Sequence, residues 1–177
     1  NVPTDVSFIA NIGDIWRPKA SPTLDDYQRV ANQLLQSGKP VFIVPGDNEY
    51  DDANSPANAL AMWRDTFVGF ENNWAPELTV SRQATRPENF AFVSDGVLYL
   101  GINMTHGNHG THQVAQRGAD NLAWINEHFA AYADQVAACV IFAQSSPKTP
   151  GYGFEAGFVA AAQEFGLNPK SDITIVQ

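Results

Sequence analysis

The sequence predicts an α/β fold, and three observations carry that expectation. Apolar, β-branched runs that read as buried strands alternate with amphipathic stretches at helical spacing. Two of those runs end in a Gly-Asp pair: Val6 to Ile12 leads into Gly13-Asp14, and Val41 to Val44 leads through Pro45 into Gly46-Asp47. One helical stretch lies between them, so the right-handed crossover makes these strands parallel neighbours. Polar loops at the carboxyl ends of such strands are where α/β proteins place ligands.

Taken in order, Asp5 to Ile12 reads as the first strand. Residues 13–23 form a loop, because Trp16, Pro18 and Pro22 break regular structure. Thr23 or Asp25 caps a helix over about 24–37, with Leu24, Tyr27, Val30, Ala31, Leu34 and Leu35 on one face and Ser37-Gly38 as its stop. Val41 to Val44 is the second strand. Ala57 to Phe67 is helical, with Leu60, Met62, Trp63 and Phe67 on one side, and residues 69–88 are irregular. Asn89 to Ser94 and Gly96 to Asn103 form a hairpin about Asp95-Gly96, the strongest short turn signal in the chain. Residues 104–118 read as a Gly- and His-rich loop. Ala119 to Tyr132 is an amphipathic helix with Leu122, Ile125 and Phe129 inward and His128 on its outer part. A buried strand ends at Ala143, a loop punctuated by Pro147, Pro150 and Gly151 follows, and Phe154 to Phe165 is a helix stopped by Gly166. Ile173 to Val176 is a last strand.

The 177 residues make one domain, without internal repeat or linker. A net charge of −9 and a pI near 4.7 argue against nucleic acid or an anionic membrane as partner. No apolar run reaches the roughly 18 residues of a membrane span, so a soluble protein is expected, secreted or periplasmic. The start at Asn1 rather than Met suggests a processed or partial chain. Cys139, the single cysteine, sits in an apolar run and reads as a buried inert thiol.

The chemistry concentrates at the strand ends. Gly lets the backbone turn sharply, and a short carboxylate after it projects above the sheet. Asp14 and Asp47 therefore read as two halves of one metal site, since two close carboxylates repel unless a cation lies between them. The run Asp47, Glu49, Asp51, Asp52 also suggests a calcium loop, but the sixth position is Asp52 rather than Gly and the twelfth is Asn58 rather than Glu. His106, His109 and His112 are spaced by three in a Gly-rich stretch; imidazoles ligate transition metals and carry protons near neutral pH, although such a stretch is equally a solvated loop. Arg17 and Lys19 are candidates to meet a substrate phosphate, with solvated surface charge as the plainer reading. Asn103-Met-Thr105 matches the glycosylation triplet of secreted eukaryotic proteins.

The motifs NIGDI at 11–15, PGDNE at 45–49, NLAWINEHF at 121–129 and VIFAQSSP at 140–147, in this order of elements, resemble the calcineurin-like metallophosphoesterases over nearly the whole chain. The resemblance implies a two-sheet β-sandwich flanked by helices, two divalent ions (Mn, Fe, Zn or Mg) at the strand ends, and hydrolysis of a phosphomonoester or phosphodiester by a hydroxide that the two metals activate. It assigns Asp14 to bridge both metals and Asp47 to hold the second. The family pattern Gly-Asn-His-Glu stands here as Gly46-Asp47-Asn48-Glu49. Asn48 takes the place of the histidine that protonates the leaving group; an amide does not titrate near neutral pH, so Asn48 orients a phosphate oxygen and His106 or His109 replaces the acid. Gln144 takes the place of a metal-binding histidine and serves as a neutral oxygen ligand. Arg17 and Glu49 are expected to contact substrate. The family's opening Asp-x-His and closing Gly-His-x-His have no counterpart, as expected of an incomplete copy of the domain or of a relative that lost its metal site. Two other readings stand beside the esterase: a catalytically inactive relative using the same cleft to bind a ligand, and a single-metal or calcium-binding module built on residues 47–52.

Overall fold

Strand residues alternate between two faces, and that alternation sorts the core into layers. The computed structural model describes residues 5–105, 114–132, 134–146, 148, 154–169 and 172–177. A first sheet pairs β1 (Ile9–Asn11) in parallel with β2 (Val41–Ile43), Ile9 lying opposite Val41. A second sheet runs in the order β3 (Ser81–Gln83), β4 (Arg86–Ser94), β5 (Val97–Gly101), β6 (Ala138–Phe142) and β7 (Ile173–Val176). Its β3, β4 and β5 are antiparallel, whereas β5, β6 and β7 are parallel. The fold is α/β with a parallel sheet, a mixed sheet and four α-helices among the described residues.

In β4, Phe90 and Phe92 face the first sheet while Ala91 and Val93 face away; in β6, Val140 and Phe142 divide in the same manner from Cys139 and Ile141. The two sheets thus meet through an aromatic layer. Phe42 of β2 stacks on Phe92 with ring centroids 4.4 Å apart, and Phe8 meets Phe42, Phe92 and Tyr99 edge-on. The outer face of the first sheet is covered by α1 (Leu24–Leu34) and α2 (Pro56–Phe67), whose Tyr27, Ala31, Trp63 and Phe67 cluster with Val41 and Ile43. The outer face of the second is covered by α3 (Val114–Tyr132) and α4 (Phe154–Glu164), whose Ile125, Phe129 and Phe158 cluster with Leu98, Leu100 and Ile141. Each fully buried Phe contributes about 1.5–3 kcal/mol by leaving water. Cys139 is buried in the α3/α4 layer, and burial pushes its thiol up to about 12, which keeps it inert.

Local chemistry sets the element ends. Thr23 and Asp26 form a reciprocal capping box at the start of α1, and the hydrogen bonds from Thr23 hold the Asp26 carboxyl below its ordinary range. Gly38 takes φ 70° and stops the turn that follows α1. Asp95 at φ 51° and Gly96 at φ 73° give both central residues of the hairpin turn a left-handed backbone, as its handedness requires.

Four expectations are corrected. Leu24 and Leu35 are 43% and 41% exposed: one opens α1 and the other lies past its last turn, beyond the buried stripe. Residues 69–88 are not irregular throughout; they hold a short 3-10 turn (Phe70–Trp74), all of β3 and the start of β4. Charged residues hid those strands, yet each charge is paired: Arg82 with Glu71 at 2.6 Å, and Arg86 with Asp120 and Glu88. Helix α3 starts at Val114, five residues early, because Arg117 is buried against Asp51 rather than solvated in a loop. His128 is not on an outer face; it is buried, with Nδ1 2.9 Å from the Trp124 carbonyl oxygen.

Candidate functional site

The carboxyl ends of β1, β2 and β6 converge on one open cleft of about 480 Å³, with Asp14, Asp47, Asn48, Gln144 and Ser145 among its lining residues and Gln177, just past β7, at its edge. Each strand delivers one polar corner. At the first, the Asn11 side chain accepts the Gly13 N–H at 3.0 Å; Gly13 then turns at φ 90° and Asp14 at φ 56°. Asp tolerates this left-handed backbone better than most residues, and it aims the carboxylate outward. At the second, the Asp47 carbonyl accepts from the Tyr50 and Asp52 amides at 3.2 and 3.1 Å, closing a tight turn over residues 47–52.

The two corners touch through glycine. A Cβ on Gly13 would lie 2.4 Å from the Gly46 nitrogen, and one on Gly46 would lie 2.4 Å from both the nitrogen and Oδ1 of Asp14. Only two glycines permit so close an approach. Glu49 completes the joint. It is fully buried; Oε2 accepts the Gly46 N–H at 2.6 Å and Oε1 accepts the Ile15 N–H. Glu49 therefore does not contact substrate as expected: both its oxygens are spent on backbone amides inside the protein. The spacing Gly46-x-x-Glu49 is the signal that was available, since a Glu three residues on can fold back on a free amide.

The cleft carries like charges. Gln144 donates from Nε2 to both carboxylates, to Asp47 Oδ1 at 3.1 Å and to Asp14 Oδ2 at 3.4 Å. Asp14 and Asp47 are thus brought together, as expected. Burial, reinforced by the negative charge of Asp14, pushes the Asp47 carboxyl up to about 6. Burial likewise lifts Glu49 to about 7 against the opposing bond from the Ile15 amide, with Asp14 adding to the rise. Asn48 lines the cleft, half-buried. Arg17 does not line it; its guanidinium lies 5.4 Å from the Trp16 ring centroid and is exposed. Lys19 is also exposed, its backbone amide donating to Asp52 at 3.4 Å. His106, His109 and His112 lie outside the described residues.

A second polar cluster is buried apart from Arg64, whose side chain is 32% exposed. Arg64 grips Glu88 with two nitrogens at 2.8 and 3.0 Å, and Asn103 donates to the same carboxylate at 2.7 Å. Tyr50 donates to Asn103 at 2.8 Å, and Asn89 and Asn121 close the network onto the Asn103 backbone, just past β5. Asp51 accepts from Thr105 at 2.6 Å and pairs with Arg117 at 2.9 Å. Asp51 is consumed by this pairing, which removes the calcium-loop reading of residues 47–52. Asn103, Met104 and Thr105 are all fully buried, so the glycosylation triplet is out of reach of modification.

Among the described residues, no group of three or more His, Cys, Asp or Glu is placed to hold a metal ion. The cleft's lining residues offer the Asp14 and Asp47 carboxylates, the side-chain amides of Asn48, Gln144 and Gln177, and the hydroxyls of Ser145 and Ser146 as oxygen donors. The Gln144 amide nitrogen stands in for a cation, since it is the positive end of a dipole that donates to two carboxylates; turning that amide over would present its oxygen instead. This donor set fits a hard divalent ion such as Mg²⁺ or Mn²⁺. Comparison with protein-family models, with curated proteins and with solved structures found no match to this chain.

Proposed function

We propose that the chain is a metallophosphoesterase of the calcineurin-like type, hydrolysing a small phosphomonoester or phosphodiester with divalent cations held at Asp14 and Asp47. One observation carries the reading: two interlocked Gly-Asp corners point their carboxylates at a single amide nitrogen in an open cleft. Two aromatic-packed sheets with helices outside them support the family's sandwich as the finer description of the fold. A divalent ion there supplies Lewis-acid chemistry, offsetting the charge of a phosphate and acidifying water. The remaining roles belong to the chain. Asp14 and Asp47 would hold the ions with Gln144 beside them, and Asn48 would orient a phosphate oxygen. Asn48 cannot give up a proton, so the leaving group is protonated by His106 or His109.

A second reading rests on the same amide. Gln144 already satisfies both carboxylates without a cation, as a relative that binds a ligand and performs no hydrolysis would have it. Hydrolysis of p-nitrophenyl phosphate and its bis-ester with Mn²⁺ or Mg²⁺ separates the two. Turnover that disappears in Asp14→Ala and in Asp47→Ala supports the esterase. Cation binding without turnover on either ester selects the binding module, and the absence of both sinks the metal site altogether.

A further inference from the structure

We infer that Glu49 is a positioning residue, a strap whose length sets the separation of the Asp14 and Asp47 carboxylates; the inference rests on the cation-binding reading above. Its two oxygens are divided between the two corners: Oε1 takes the amide one residue after Asp14, and Oε2 takes the amide one residue before Asp47. Glu49 is fully buried, its bond to the Gly46 amide is buried, and its bond to the Ile15 amide is partly buried. The strap is anchored at its own end too, where the Tyr27 hydroxyl donates to the Glu49 carbonyl oxygen at 2.7 Å. There is no slack in the joint. A Cβ on Gly46 would lie 2.7 Å from Glu49 Oε2 and 2.4 Å from the Asp14 nitrogen. A carboxylate is the group this joint requires, since it alone offers two acceptors and no donor. Gln would turn an NH₂ against one of the backbone amides. Asp, shorter by about one C–C bond or ~1.5 Å, would reach only one corner.

The test is Mn²⁺ affinity, read from the electron paramagnetic resonance signal of free Mn²⁺, alongside thermal unfolding of each variant. In Glu49→Gln and Glu49→Asp the affinity is expected to fall about ten- to a hundred-fold, the range for residues that orient metal ligands. Glu71→Gln weakens the ion pair of the buried Glu71 with Arg82, and neither residue lines the cleft or touches Glu49. This variant is expected to lower the melting temperature and leave Mn²⁺ affinity alone, so a general loss of stability is told apart from a loss of spacing. A folded Glu49→Gln protein with wild-type Mn²⁺ affinity overturns the inference. Hydrogen exchange on the unmodified chain decides the case in which neither Glu49 variant folds, or in which the wild type binds no Mn²⁺ and the functional reading fails. Slow exchange at both the Ile15 and Gly46 amides upholds the strap, and fast exchange at either one sinks it.

Discussion

Asp47 and Asp51 are four residues apart in one turn, and the molecule treats them in opposite ways. Asp51 is buried against Arg117 and Thr105, with Tyr50 beside it tied to Asn103 and so to the Glu88–Arg64 pair. Every carboxylate in that inner cluster meets a guanidinium. Asp47 faces Asp14, a charge of its own sign, and one neutral amide donates to both. Desolvating a carboxylate is costly unless opposite charge and hydrogen bonds offset it, so a compensated pair is architecture. At the open cleft the chain offers the two like charges an amide dipole, and the proposed divalent ion would offset the remainder. The contrast separates the residues that hold the fold from those held by it.

Substitutions at the two aspartates test that contrast most directly. Asp51→Ala takes the carboxylate away from the buried Arg117 guanidinium and should cost about 3–5 kcal/mol, read as a lower urea midpoint. Asp14→Asn and Asp47→Ala should remove the proposed Mn²⁺-dependent turnover while leaving cation-free stability within about 0.5 kcal/mol of wild type, or above it, because each relieves a repulsion and Asn keeps the left-handed backbone at position 14. Loss of stability comparable to Asp51→Ala at either position would erase the distinction between the two regions.

The pH dependence sharpens it further. Asp47 and Glu49 are raised from ordinary values of 3.8 and 4.5 to about 6 and about 7, so the folded chain binds protons more tightly than the unfolded one. Stability from these groups is therefore fully present below pH 4 and is lost as pH rises through 6 and 7. Scanning calorimetry without divalent ions should show the melting temperature falling over that window. Mn²⁺ should flatten the decline, and Asp47→Asn should remove its lower part. The smallest effect belongs far from the cleft: Thr23→Ala, which breaks the α1 capping box, should cost about 1 kcal/mol and leave Mn²⁺ affinity unchanged.

Much of this could be read before any coordinates. Gly-Asp after an apolar run marked both corners, Asp95-Gly96 marked the hairpin, and Gly38 and Gly166 marked the ends of α1 and α4. Those signals are local: a left-handed φ or an interrupted period constrains a few residues, whatever lies elsewhere. The misreadings share the opposite character. Arg86 and Glu88 looked like loop residues because their partners Asp120 and Arg64 lie 34 and 24 residues away, and Arg117 was read into a loop because Asp51 is 66 residues away in sequence.

Residue order alone was enough for the alternation of strands and helices, for parallel pairing of β1 with β2, and for the choice of Asp14 and Asp47, since periodicity and turn chemistry act over a few neighbouring residues. The inward fold of Glu49, the burial of His128, and the amide shared by two carboxylates depended on the packed chain. A side chain's partners across 34 or 130 residues are fixed by which surfaces meet, and no short-range preference records that.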